Sequence, residues 1–337
     1  MTNSNSARNL PIPSVPAIRS SADRVVNQNL DETPRSTLFF GIVMGLLAAS
    51  VGALYTVFAR YGLLNGLKSP DMTSLRFGVA GIVTLPILIH FLRRDGAAIK
   101  KQWRIWLAVA VLAGPLFGLM MFTAFQFAPA NHAAVFPFSA MSVMGTLLAA
   151  RYLADPLTLR KMTGIAIVLV GLVVLSGLNA SSLTARSLIG DAMFIGAGTL
   201  WAGFGIVLRR YRLNPLLATA VVSFFALLTY VPVYVAVTGG ARLIAAAPSL
   251  FWIEVLIQGV IAGAGTLYTY AKTVQLLGAA RAAVFPALAP GIAVLMGWPL
   301  LNHVPDVLET TGLTIAVVGL LISVTRSSRS SGAVKNF

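Results

Sequence analysis

From Ser36 onward the chain is a succession of apolar stretches of roughly 20 residues, separated by short polar or basic breaks. As a helix, each is long enough to cross a hydrocarbon core of ~30 Å. Ten such spans are predicted: Leu38–Arg60, Met72–Leu92, Ile105–Gln126, Asn131–Tyr152, Lys161–Leu178, Leu188–Val207, Leu216–Val237, Phe251–Val274, Ala279–Leu301 and Val307–Val324. The stretches are continuous rather than alternating, which predicts helices and not barrel strands, because a spanning segment must satisfy its own backbone groups without water. Residues 1–36 are polar, rich in Ser, Asn and Pro, and lack the apolar core of a signal peptide. They are expected to form a disordered cytoplasmic tail, and 327–337 a second cytoplasmic tail.

Composition agrees with this pattern. Of 337 residues, 57% are apolar and 10% charged, and the mean hydropathy is +0.83. Soluble domains carry roughly 25% charged residues, so most side chains here do not meet water. The net charge of +15 raises the question of nucleic acid. The basic residues answer it by their placement. Arg93, Arg94, Lys100, Lys101 and Arg104 follow span 2; Arg151, Arg160 and Lys161 follow span 4; Arg209, Arg210 and Arg212 follow span 6; Lys272 and Arg281 bracket the break after span 8. The intervening loops hold only Arg60, Lys68, Arg186 and Arg242. The positive-inside rule then places both termini and the even-numbered loops in the cytoplasm. Topology uses up the basic residues, and no nucleic-acid partner is expected.

The pentamer "AAVFP" occurs at Ala133–Pro137 and again at Ala282–Pro286, 149 positions later. The same shift carries Gly41 onto Gly190, Gly114 onto Gly263, Gln126 onto Gln275, Ala130 onto Ala279 and Pro156 onto Pro305. At a shift of 148, Gly164 falls on Gly312 and Gly171 on Gly319. The chain is therefore read as two copies of a five-helix unit, over 37–179 and 187–326. Five is odd, so the second copy enters the membrane from the opposite side. Inverted repeats of this kind put a substrate near the midplane and allow the two halves to exchange roles. Pro137, Pro286 and Pro290 are expected to kink or hinge their helices.

Several classes of chemistry are excluded or weakened. Cysteine is absent, which removes disulfides, Fe–S clusters and thiolate metal sites. No Walker A motif and no HExxH are present, and His90, His132 and His303 are scattered. Neither a metal nor a cofactor is expected, and a membrane-embedded enzyme lacks the groups it would need. A lipid flippase or scaffold on the same fold is a further alternative.

Candidate site residues follow from polarity within the spans. The pocket candidates are Tyr55, Thr56, Thr123, Asn131, Ser139, Trp201, Gln258, Thr266, Tyr268 and Lys272. Lys272 has two readings: an anchor at the cytoplasmic face, or a ligand for a substrate carboxylate. Arg76, Asp191, Glu254 and Glu309 lie within about two turns of the outer span ends and are expected to snorkel to the interface. His132, Asp191 and Glu254 are the titratable candidates for coupling to protons.

The segments "SLRF" (Ser74–Phe77), "ANHAAVFPFSAM" (Ala130–Met141), "WAGFGIVLRR" (Trp201–Arg210) and "GAARAAVFPALAP" (Gly278–Pro290), in this order and with the glycine pattern of spans 5 and 10, resemble the drug/metabolite transporter superfamily, EamA type. The resemblance covers about Leu38 to Val324. It implies an all-helical protein of ten transmembrane helices in two inverted repeats. It also implies secondary transport without ATP, with export of small metabolites, amino acids or amphipathic compounds. The expected setting is the lipid bilayer of a bacterial cytoplasmic membrane. Asp155 stands at the first of two places where the family carries Glu, the second place, in Asn302–Pro305, has no acid, and Met141 replaces a family proline.

The charge pattern makes a testable topology. In this cysteine-free background, a cysteine placed at 100 or 210 should resist an impermeant thiol reagent applied to intact cells, and one at 129 should react. Labelling at 210 with protection at 129 would reverse the orientation.

Overall fold

The computed structural model describes residues 35–178, 183–301 and 306–324. Among these residues ten helices are long and apolar enough to cross a membrane: helix 1 Ser36–Leu64, helix 2 Ser69–Lys101, helix 3 Trp103–Phe127, helix 4 Asn131–Leu153, helix 5 Leu159–Ser176, helix 6 Ala185–Arg210, helix 7 Pro215–Thr238, helix 8 Pro248–Leu277, helix 9 Ala279–Met296 and helix 10 Val307–Val324. No strand occurs among them. The tails beyond these limits, and Asn302–Pro305 with His303, lie outside the described residues.

Two boundaries differ from expectation for a physical reason. Helix 2 continues past Leu92 through the basic segment to Lys101, with one break in helical geometry at Asp95 (φ −129°, ψ 22°). Hydropathy marks where a helix leaves the apolar slab, and Lys, Arg and Ala are strong helix formers on either side of that line. Helix 1 likewise begins by Arg35, inside the stretch assigned to the tail.

The two repeats pack by equivalent contacts. Gly41 in helix 1 lies against Leu277 at the end of helix 8, and its repeat mate Gly190 in helix 6 lies against Ala128 at the end of helix 3. Ala128 and Leu277 are themselves 149 residues apart. Helices 5 and 10 pair directly through the glycines that the sequence comparison had matched. A Cβ at Gly171 would stand 2.5 Å from the Ala316 nitrogen, and one at Gly319 2.7 Å from the Gly164 carbonyl oxygen. Small residues allow this backbone approach, which is the main source of helix affinity where lipid is as apolar as leucine. Helix 2 is tied to helix 7 by a polar knot at the end opposite the basic loops. There the Asp71 carboxylate accepts from Tyr234 Oη (2.6 Å), Arg242 Nε (2.7 Å) and the Lys68 backbone N–H (2.7 Å).

Where the repeats match in sequence they differ in local form. Helix 3 breaks at Gly114 (φ −90°, ψ −147°) and restarts at Pro115. Its mate Gly263 lies in a π-helical stretch, Val255–Thr266, within helix 8. Pro137 sits inside helix 4, which stays helical from end to end, whereas its mate Pro286 lies in a 3-10 turn, Phe285–Leu288, that interrupts helix 9. Pro290 opens the segment that follows, Ala289–Leu301, in a first turn where its missing N–H leaves no bond unmade. Of the three expected kinks, the helix is interrupted at Pro286 alone.

The helix 5–helix 10 seam gives a prediction. Gly171→Leu forces a side chain into the helix 10 backbone and should cost about 3 kcal/mol, the upper end for overpacking. The readout is loss of a monodisperse species and a lower midpoint of thermal unfolding in detergent. Gly96→Ala, at a position with open space around it, should leave both unchanged.

Candidate functional site

Three chambers lie along the axis of the bundle. At the basic end a vestibule of about 1230 Å³ is lined by Arg151, Lys161, Arg209, Arg210, Arg212 and Arg281, with Asp155 the acid among its walls. Asp155 pairs with Lys161, while Arg209 and Arg210 donate to the carbonyls of Gln275 (3.2 Å) and Tyr152 (2.9 Å). At the opposite end a pocket of about 330 Å³ is lined by Thr56, Arg60, Asn131, Phe138, Ala289, Pro290 and Glu309 among others. Between them lies a central cavity of about 30 Å³ walled by Tyr55, Arg76, Phe117, Phe138, Met141, Trp201, Thr266, Tyr270, Pro286 and small residues of helix 1. That volume admits a water or two and no solute. Phe138 and Ala289 belong to both the central cavity and the opposite-end pocket, so they form the partition between them.

The central cavity is built from both repeats, with helices 1 to 4 on one side and 6, 8 and 9 on the other. Its aromatic wall is continuous. Trp201 lies 4.8 Å from Phe117 and 5.0 Å from Tyr270, centroid to centroid. Against this wall stands Arg76, 1% exposed. Its guanidinium carbon is 4.5 Å from the Tyr55 ring centroid, and neither Nε nor Nη1 has a hydrogen-bond partner. Among the described residues no carboxylate pairs with it. A cation–π contact is worth about 2 kcal/mol when desolvated. Withdrawing a charge from water costs several kcal/mol even after relaxation, so the ring does not balance the guanidinium. Trp201 Nε1, Thr266 Oγ1 and Tyr270 Oη are also buried on this cavity's lining residues without a partner.

A second polar feature joins the repeats. His132 Nδ1 and Asp191 Oδ1 are 2.7 Å apart, fully buried between helices 4 and 6. Asp191 Oδ2 has no hydrogen bond. A third is Glu254, 0% exposed, whose carboxyl lies beside Gly62 and completes no hydrogen bond. Outside the spans, the hydrogen bond from Arg242 to Asp71 raises the guanidinium above its ordinary pKa.

The structure sorts the sequence candidates. It brings Tyr55, Trp201 and Thr266 to the central cavity and puts Thr56 and Asn131 in the opposite-end pocket. Thr56 is back-bonded to the Gly52 carbonyl. Gln258 is buried beside the cavity and donates to the Tyr55 carbonyl at 3.0 Å. Thr123, Ser139 and Tyr268 are half-buried and line none of the three chambers. Lys272 is turned to Gln275 Oε1 at 2.7 Å in an exposed setting and lines none of them either. Arg76, Asp191 and Glu254, expected to snorkel, are instead buried inside the bundle, because the faces that carry them are covered by neighbouring helices. Of the polar residues that line the central cavity, Arg76 is the one that the sequence reading placed at the interface instead of in the pocket.

Comparison with known proteins bears on both halves of this scaffold. The sequence model of the EamA-like transporter family matches residues 39–177 and 188–325. A comparison with curated proteins finds no match. Among solved structures, a chain described as "Crystal structure of protein" superposes with a TM-score of 0.63 over 84% of this chain and 96% of its own, at 18% identity. At that identity the likeness speaks to the fold. With the family match extending through both five-helix repeats, the chain belongs to the EamA-like transporter family and is an integral membrane transporter of the drug/metabolite transporter superfamily.

Proposed function

We propose that the protein is a secondary carrier that exports small metabolites, amino acids or amphipathic compounds across a bacterial cytoplasmic membrane by alternating access, driven by protons. The observation that carries this reading is the narrow central cavity, walled by both repeats and lying between two larger chambers at opposite ends of the bundle. A carrier needs such a compartment, closed to both sides in one of its states. The basic end faces the cytoplasm by the positive-inside rule, so the wide vestibule is the loading side for export. With no Walker A motif in the sequence, a gradient supplies the energy.

The coupling site in this reading is His132–Asp191. The pair ties helix 4 of the first repeat to helix 6 of the second. A proton that binds the pair better in one state than the other shifts the balance between states by that difference. His132 contacts Asp191 and the Phe136 ring. Arg186, one turn nearer the start of helix 6, is turned to the Gln126 carbonyl at 3.1 Å. Glu254 is the second titratable group of the reading, held between Gly62 and Gln258 at the opposite end.

Asp191→Asn keeps the size and hydrogen-bonding capacity of the side chain and removes its charge. In proteoliposomes loaded with labelled amino acids and amphipathic dyes, accumulation driven by a pH gradient should fall about tenfold or more, within the usual 5–150-fold range of coupling. Exchange of the same solute without a gradient should persist. Gradient-driven accumulation equal to that of the unsubstituted protein would remove the pair from coupling.

A further inference from the structure

The central cavity presents donors without acceptors. Arg76 Nε and Nη1, Trp201 Nε1, Thr266 Oγ1 and Tyr270 Oη are buried on its lining residues, and none has a hydrogen-bond partner in the protein. Arginine and tryptophan nitrogens can only donate, and the two hydroxyls can donate as well. The cavity wall includes no Asp or Glu. Buried polar groups are otherwise nearly always paired, so a set of unpartnered donors around one guanidinium calls for a ligand rich in acceptors and negatively charged.

We propose that this cavity, widened in a more open state of the carrier that the ligand selects, is the binding site for a monocarboxylate with an apolar or aromatic body, whose carboxylate is taken by Arg76 and the neighbouring donors. The proposal deepens the carrier reading above, on which it rests, by naming the class of solute. An ionised carboxylate is an acceptor at both oxygens, with about four lone-pair sites, and fits the planar guanidinium fork in two parallel bonds. One negative charge neutralises Arg76; a phosphate dianion would leave a second charge uncompensated in an apolar chamber. The rest of the wall, with Phe117, Phe138, Met141 and the ring of Tyr55, offers a carbon skeleton its surroundings. A zwitterion would bring an ammonium group for which the wall holds no carboxylate. The carboxylate-binding role that was one of two readings of Lys272 thus falls to Arg76, on the other repeat.

The vestibule works in the same direction. Six cationic side chains and one acid line it. Topology accounts for those charges, and their field still raises the local concentration of anions and lowers that of cations.

The test uses the purified full-length protein in detergent at pH 7 and fixed ionic strength. Benzoate and hexanoate are titrated beside benzamide and hexanamide, their neutral counterparts, with the thermal midpoint and tryptophan fluorescence as readouts. The acids should bind, and the amides should bind about 10- to 150-fold more weakly, the range for a hydrogen bond to a charged group. Arg76→Gln should abolish the preference, and Arg76→Lys, which keeps the charge without the fork, should retain part of it. If Arg76→Gln yields no folded protein, the acid–amide comparison on the unsubstituted protein and the Arg76→Lys titration decide. Amides binding as well as acids, inorganic phosphate binding as tightly as benzoate, a preference that survives Arg76→Gln, or no binding by either class would each overturn the proposal. Liposome exchange separates its failure from that of the carrier reading. Exchange of neutral or cationic solutes without carboxylate binding sinks the site and leaves the carrier. Carboxylate binding with no exchange of any solute does the reverse.

Discussion

Hydrocarbon offers no water to a polar group, and most of this architecture follows from that one constraint. It forces the backbone into ten helices and leaves their packing to small residues. It also governs the polar side chains that the helices carry. Most of the threonines resolve it locally by bonding the carbonyl one turn back, as Thr84 does to Ala80 (2.7 Å), Thr219 to Pro215 (2.9 Å) and Thr273 to Thr269 (2.8 Å). Thr266 does not, and it closes the π-helical stretch of helix 8. π-turns recur at functional sites.

The same constraint explains why two near-copies of one sequence differ in shape. A break at Gly114 frees backbone groups that neighbours must re-satisfy, and the π-stretch at Gly263 keeps its bonds while changing their reach. Helix 4 holds Pro137 in an uninterrupted helix, and helix 9 converts the segment around Pro286 into a 3-10 turn. Each pair of mates shows one residue type tolerating two local forms. An inverted-repeat carrier needs that tolerance, since each half must adopt in turn the form that the other holds.

The fold was largely legible in the sequence because hydropathy and repetition are properties of depth and order along the chain. Ten spans and their pairing into two units could be read directly, and the matched glycines of helices 5 and 10 meet in the structure. The site was less legible because hydropathy says nothing of azimuth. Arg76 and Lys272 each lie near a span end, and each lacks a charged repeat mate; their mates are Phe225 and Thr123. Only the rotation of the helix separates them, sending Arg76 into the bundle and Lys272 to its surface. His132 and Asp191 were each visible as titratable, and their union was not, because 59 residues and a repeat boundary separate them.

Small residues then connect the scaffold to the chemistry. A Cβ at Gly205 would stand 2.8 Å from the Tyr270 hydroxyl oxygen, and one at Gly62 2.9 Å from Glu254 Oε1. A Cβ at Gly263 would collide with the Arg76 carbonyl oxygen. Each glycine lets two helices close up and, in the same place, leaves the room into which a polar atom turns away from lipid. The residues that make the helices associate are thus also those that decide where unpaired polar groups collect. Helix 8 contributes several of them, with Glu254 and Gln258 one turn apart and Thr266 and Tyr270 one turn apart further along the same helix, and that helix faces Arg76 across Gly263. Packing therefore gathers these unpaired polar groups at the seam between the two repeats, the surface that would have to change in the proposed carrier cycle.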